Sequence, residues 1–174
     1  SPFLKELHPG YRRIRRRSPD HVIGELVAAK RVHGLRYVNF QDEVFTFNEN
    51  WIDRFARLYE REIRLPFSVD IHPTLADEPV LRTLKRAGLD RVTIGVQSGS
   101  ERLLTEVYDR SVSNETTLQA METLDRLGIQ FDVDVITNNP FETEDDCRKT
   151  LELLLNAPPS CQLNGGLSKL SFFP

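Results

Sequence analysis

Three predicted helices end in the same way, on a glycine followed by an aliphatic residue that leads into a strand. The pairs are Gly34-Leu35, Gly88-Leu89 and Gly128-Ile129. Glycine at such a position supplies the left-handed backbone that ends a helix and returns the chain to a strand. Helices and strands therefore alternate with short connections, which predicts parallel strands joined by right-handed crossovers.

Caps and the spacing of apolar residues place the individual elements. Ser18-Pro19-Asp20 reads as the start of a helix, Asn50 as the cap of a second, and Thr143 as the cap of another. The spacing predicts helices over residues 18–34, 50–63, 77–87, 100–108, 115–127 and 143–155. It predicts strands over residues 36–41, 67–71, 92–96 and 131–136, with a fifth within 166–173. Their apolar runs are typical of strands covered on both faces.

This order predicts an α/β fold, a partial TIM-like (βα) barrel with five parallel strands and flanking helices. We expect residues 1–174 to form a single domain, because one domain takes about 150 residues. A full barrel of eight units takes roughly 250 residues. The chain opens on a basic segment and a helix, so we expect it to be a piece of a barrel core whose first strand is missing.

Composition excludes several classes of protein. The chain has only two cysteines, Cys147 and Cys161. This excludes a disulfide-rich scaffold and any four-cysteine metal site made by this chain alone, and we expect both to be packing or surface thiols. No stretch approaches the ~20 apolar residues of a membrane span, so a cytoplasmic location without membrane contact is expected.

Polar residues cluster where the predicted strands end, and parallel barrels bind ligands at that edge. Each cluster also has a plain structural interpretation. Asp42 and Glu43 are compatible with a solvated turn, and Gly95 to Ser100 with a simple strand-to-helix turn capped by Ser100. Asp70 and Asp134 lie among apolar neighbours and need partners when buried, such as a structural arginine.

The stretch VTIGVQSGS at residues 92–100, with Tyr108-Asp109-Arg110 following, resembles a recurring segment of radical S-adenosylmethionine (SAM) enzymes. The similarity continues in order through five further stretches. They are residues 16–23 (RRSPDHVI), 39–45 (NFQDEVF), 65–70 (LPFSVD), 134–143 (DVITNNPFET) and 167–174 (LSKLSFFP). The sequence is most similar to the branch that often carries a cobalamin-binding domain ahead of the barrel.

The resemblance implies a SAM site of seven residues. It implies Asp42 at the methionine amino group, where this chain lacks the family's two glycines. Asp70, Gln97, Ser98 and Asp134 are implied near the ribose. Arg110 is implied at the methionine carboxylate, where an arginine suits a bidentate partner. Ile136 is implied against the adenine.

The resemblance also implies a 4Fe-4S cluster, held in the family by Cys-x3-Cys-x2-Cys after the first strand. Nothing in this chain fits that pattern, so the ligands are expected immediately upstream of residue 1. The cluster would pass an electron to SAM and so generate a 5′-deoxyadenosyl radical. Cobalamin is a candidate second cofactor, and an upstream cobalamin domain a candidate partner. The substrate is not indicated.

Two other functions remain open from sequence. One is a catalytically silent module that binds SAM or a nucleotide. The other is an aldolase-like barrel fragment, for which Lys169 is the weak candidate lysine.

Residues 1–17 form a basic segment, in which all but Ile14 of residues 12–17 are arginine. A solvated surface is the plain interpretation. The alternatives are a phosphate-bearing substrate, RNA or an acidic neighbouring domain. Beyond Tyr11 the segment has no interleaved aromatic residues to stack on bases, so RNA is not favoured. Of the four histidines, only His72 stands at a strand end, where a capping role is expected.

Overall fold

Within the part of the chain that the structure describes, six strands form one parallel sheet, with helices covering its outer face. The structure, a computed structural model, describes residues 16–42, 45–163 and 168–169. The helices within these ranges are α1 (Pro19–His33), α2 (Glu49–Glu62), α3 (Glu78–Ala87), α4 (Glu101–Glu106), α5 (Asn114–Arg126) and α6 (Glu144–Leu155). The strands are β1 (Val38–Phe40), β2 (Phe67–Ile71), β3 (Leu89–Gln97), β4 (Gln130–Thr137), β5 (Cys161–Leu163) and β6 (Ser168–Lys169).

Strands β1 to β5 are neighbours in chain order, which is the arrangement of a barrel wall. β5 pairs with Phe131–Val133 of β4, and β6 pairs with Ile136 and Thr137 farther along the same edge. The predicted partial barrel is confirmed. Strand β5 was not predicted from the sequence, and most of the predicted strand 166–173 lies outside the described residues.

The helix ends follow the glycine pattern of the sequence. Gly34 and Gly88 end α1 and α3 in the left-handed conformation, and Gly128 after α5 has φ 61°. One predicted cap is wrong. Asn48 rather than Asn50 begins α2, because its side chain accepts a hydrogen bond from the backbone N–H of Trp51 at 2.9 Å.

The two faces of the sheet differ in chemistry. On β3, Val92, Ile94 and Val96 are buried, while Arg91, Thr93, Gly95 and Gln97 between them are only partly covered. Residues that alternate in this way lie on opposite faces of a strand. The apolar face packs on the helices, and the inner face is polar, which differs from the expectation of apolar cover on both faces.

Near the amino ends of the strands, Arg91 of β3 makes side-chain hydrogen bonds to residues of β4 and β5 on the inner face. Its guanidinium donates to Asp132 at 2.8 Å, to Gln130 at 2.9 Å and to Gln162 at 3.1 Å. Asp132 is therefore partnered by an arginine, the structural role considered above for strand acids. No helix among the described residues has the length and apolarity that crossing a membrane requires.

Candidate functional site

The end of β3 carries a strained turn at Gln97. The backbone N–H of Ser98 donates to the carbonyl oxygen of Val96 at 2.8 Å, and Gln97 between them has φ 67°. A residue with positive φ whose two neighbours are joined by such a hydrogen bond is the centre of a γ-turn, which is rare. This backbone conformation is unfavourable for residues other than glycine. Strain of this kind occurs mostly where a side chain must be held in place for binding.

The amide of Gln97 lies beside the acids of the neighbouring strands. Its Nε2 approaches Asp134 Oδ2 at 3.4 Å. Burial raises the pKa of Asp70, a hydrogen bond with Thr93 lowers it, and the charge of Asp134 raises it again. The structure thus brings Asp70, Gln97 and Asp134 together at the carboxyl ends of β2, β3 and β4. Carboxylates and an amide there can accept from and donate to hydroxyl groups.

Arg110 lies over the same end of β3. Its Nη2 donates to the Gly95 carbonyl oxygen at 2.7 Å, and its Nε is buried without a hydrogen-bond partner in the described part of the chain. Burial lowers the pKa of Arg110. Among the described residues no carboxylate pairs with it. A half-buried guanidinium in this state is suited to an anionic ligand.

Gly95 creates the space for these groups. A Cβ at this position would lie 3.2 Å from Gln97 Nε2 and 3.6 Å from Arg110 Nη1. Gly95 stands in register with Asp134 on β4. The missing side chain therefore leaves a cradle on the inner face between the amide, the guanidinium and the carboxylate.

Ser98 is predicted at the ribose, but its side chain turns the other way. It is buried, and its hydroxyl is within hydrogen-bond distance of Thr150 Oγ1 on α6 at 3.2 Å. It also accepts the backbone N–H of Ser100 at 3.1 Å. The hydroxyl of Ser98 is thus used to hold the loop, which leaves its backbone as the part nearest Gln97.

The loop after β3 is fixed to α6 by a buried carboxylate. Asp146 is 1% exposed and accepts from Ser100, Arg102 and both the N–H and hydroxyl of Thr143. The hydrogen bond from Arg102 is the largest cause of a strong lowering of the Asp146 pKa, which burial opposes. This set of contacts was not predicted, although Thr143 with acids after it indicated the cap.

Asp42 lies two residues beyond the end of β1. It lines a small pocket of about 200 Å³ with Arg16, Phe40, Phe45 and Trp51. Arg16 stacks 4.8 Å from the centre of the Trp51 ring and donates to the Phe45 carbonyl oxygen at 3.0 Å. Burial lowers the pKa of Arg16 and the charge of Asp42 raises it. Glu43 lies outside the described residues, as do Arg12, Arg13 and Arg15.

The loop after β4 completes this edge. Ile136 is partly covered near the end of β4, and Asn138 has φ 59°, a conformation that asparagine tolerates better than most residues. Asn139 is buried and donates to the Tyr108 hydroxyl at 2.9 Å. This unpredicted contact joins the segment that carries Arg110 to the loop that follows Ile136.

The two cysteines lie near opposite ends of α6. Cys147 is exposed on α6, and Cys161 begins β5 at the amino end of the strands. Burial raises the pKa of both thiols, which disfavours the thiolate that binds metal. No group of three metal-binding side chains occurs in the described ranges. Lys169 lies on β6 opposite Thr137, and its side chain is outside the described part.

Comparisons with known proteins identify relatives of this chain. An uncharacterised methyltransferase of Pyrococcus horikoshii is 25% identical over 142 residues, which are 81% of this chain and 31% of the relative. The chain therefore spans about a third of that relative's length.

Two solved structures show the same fold. The radical SAM methyltransferase TsrM of Kitasatospora setae, solved with cobalamin and a 4Fe-4S cluster bound, superposes with a TM-score of 0.68 at 20% identity, covering 80% of this chain and 29% of TsrM. Coproporphyrinogen III oxidase (HemN) of Escherichia coli superposes with a TM-score of 0.70 at 17% identity, covering 90% of this chain and 38% of HemN. The model of the radical SAM superfamily matches residues 4–154. Because that match extends over most of its length, the chain belongs to the radical SAM superfamily.

Proposed function

We propose that this chain is the SAM-binding barrel portion of a radical SAM enzyme, with SAM held at the carboxyl ends of β1 to β4. The observation that carries the proposal is Arg110, a half-buried arginine without a carboxylate partner among the described residues, beside the cradle at Gly95. A carboxylate ligand would satisfy its guanidinium, and the methionine end of SAM has one.

The residues present fit the rest of SAM by their chemistry. Asp70, Gln97 and Asp134 would accept from and donate to the ribose hydroxyls. Ile136 would give an apolar surface to the adenine, and Asp42 would accept from the ammonium group. Ser98 would contribute through its backbone, because its hydroxyl holds the loop to Thr150.

Bound SAM, reduced by one electron from a 4Fe-4S cluster, supplies a 5′-deoxyadenosyl radical and methionine. With two cysteines in its sequence, this chain does not supply a three-cysteine set. We propose that the cluster ligands lie upstream in the parent chain, together with a cobalamin domain such as TsrM's bound cobalamin suggests. The work of this chain is to bind and orient SAM.

The proposal is tested by isothermal titration of SAM into the anaerobically purified parent protein. We expect Arg110→Met to weaken SAM binding about 10- to 100-fold, because a hydrogen bond to a charged group contributes about 1.5–3 kcal/mol. Arg148→Met is the matched control, since Arg148 is exposed on α6 and paired with Asp145 and Glu152. Equal affinity of the two variants would refute the assignment.

A silent SAM-binding module is the second candidate, favoured by the lack of a cysteine set in this chain. Reconstitution with iron and sulfide distinguishes the two. We expect 4Fe-4S absorbance and reductant-dependent 5′-deoxyadenosine from the enzyme. SAM binding with neither 4Fe-4S absorbance nor 5′-deoxyadenosine identifies the silent module.

A further inference from the structure

His72 stands at the carboxyl end of β2, two residues beyond Asp70 and so on the same face of the strand. It precedes a short 3-10 turn, Pro73–Leu75. Both the backbone N–H and the hydroxyl of Thr74 lie at its Nδ1, at 3.3 and 2.8 Å. The expected capping role is therefore real, and it leaves the other ring nitrogen unused.

The cap fixes the tautomer of the ring. Because Nδ1 accepts the N–H of Thr74, it carries no proton, and the proton of the neutral ring sits on Nε2. Burial lowers the pKa of His72, and the charge of Arg110 lowers it further, which favours the neutral ring. Within the described ranges Nε2 makes no hydrogen bond, which leaves one oriented N–H donor at this edge.

This edge offers both hydrogen-bond donors and hydrogen-bond acceptors. Arg110 and Nε2 of His72 offer only N–H groups, whereas Asp70 and Asp134 offer acceptor oxygens when ionised. A ligand part with only acceptor atoms fits beside the first pair, and one with hydroxyl donors fits beside the second. The positive charge of Arg110 favours a carboxylate as the acceptor part.

We propose that Nε2–H of His72 is a second hydrogen-bond donor to the ligand carboxylate that pairs with Arg110. This inference rests on the proposed function, in which that carboxylate belongs to the methionine end of SAM. His72 thus links the cap at the end of β2 to ligand recognition, a role that its place in the sequence alone does not reveal.

Two substitutions separate the cap from the donor. His72→Asn keeps an acceptor where Nδ1 lies and removes Nε2–H, whereas His72→Gln places an amide near Nε2 and loses the cap. Titrations of the purified parent protein use SAM and its decarboxylated analogue, S-adenosylmethioninamine. We expect His72→Asn to weaken SAM binding about three- to tenfold, His72→Gln to weaken it less, and neither to change the affinity for the analogue.

Three results would overturn the inference. They are unchanged SAM affinity in His72→Asn, an equal or smaller loss in His72→Asn than in His72→Gln, and an equal loss for SAM and the analogue. Failure of the proposed function looks different, because the wild-type protein then does not bind SAM. A melting curve of each variant shows whether the cap is intact, and the comparison between the two ligands corrects for any loss of folded protein.

Discussion

Gly95 and Arg110 form a matched pair: the guanidinium donates to the Gly95 carbonyl oxygen at 2.7 Å and lies where a side chain at Gly95 would come within 3.6 Å. A methyl group there would also press on the Gln97 amide at 3.2 Å. We expect Gly95→Ala to weaken SAM binding about two- to tenfold, the range of one hydrogen bond. Calorimetric titration measures this, and unchanged affinity would show that the cradle is not used.

The strained turn at Gln97 predicts a conflict between stability and binding. A positive φ costs a residue other than glycine about 1–2 kcal/mol, and Gln97→Gly removes this cost. Glycine also makes the unfolded chain more flexible, which lowers the free energy of unfolding by about 0.5–1 kcal/mol. We expect Gln97→Gly to unfold at a higher urea concentration than Gln97→Ala, the control that keeps the strain. Both variants should bind SAM more weakly than wild type. Equal stability of the two would mean that the turn stores no strain.

Two glycines should respond in opposite ways to alanine. A Cβ at Gly99 would lie 2.6 Å from the Lys149 carbonyl oxygen and from Thr150 Cα, which are backbone atoms of α6. A Cβ at Gly24, inside α1, meets nothing within 4 Å. We expect Gly99→Ala to cost about 1–3 kcal/mol of unfolding free energy and Gly24→Ala to add about 0.5–1 kcal/mol. Urea denaturation measures the unfolding free energy of both variants. A Gly99→Ala variant as stable as wild type would contradict the close packing of the loop on α6.

Asp146 gives the fold a dependence on acid. Its pKa is lowered mainly by the hydrogen bond from Arg102, so its contribution is complete above the unfolded value of about 4 and disappears as pH falls through the folded value. We expect the difference in unfolding free energy between wild type and Asp146→Asn to be largest near pH 7 and to decrease below pH 4. Asp53→Asn, at an exposed position on α2, controls for the loss of one charge. Urea denaturation at each pH measures this difference, and an increase in the difference as the pH falls would contradict the prediction.

Much of the fold could be predicted from local signals in the sequence. Gly34, Gly88 and Gly128 mark helix ends because the left-handed conformation excludes most other residues. Strand β5 was missed because Cys161–Leu163 follows Pro158-Pro159, which indicates a break, and lacks the longer apolar run that surrounds β1. The choice of Asn50 over Asn48 was wrong because both fit a cap, and only the position of the Trp51 N–H separates them.

The site was predictable where resemblance and strand position agree, and less so where it depends on long-range contacts. Asp70, Gln97, Asp134 and Arg110 stand near the carboxyl ends of the strands as expected, although their contact with SAM stays a prediction. The direction of the Ser98 side chain depends on Thr150, 52 residues away. The link between Tyr108 and Asn139 likewise joins distant segments. Such contacts leave no periodic signal in one sequence.

The strand order of the sheet has a consequence for synthesis. Because a chain is made from its amino end, β1 is released before β2 to β5, and each of these strands pairs with the one made just before it. Arg110 is made after β3, which carries its hydrogen-bond acceptor, the Gly95 carbonyl oxygen. The cradle is complete only when β4 has paired with β3 and Asp134 lies beside Gly95. We therefore expect a nascent chain that ends after β3 to lack the proposed SAM contacts at Arg110, Asp134 and Ile136, and to bind SAM only once β4 has been made.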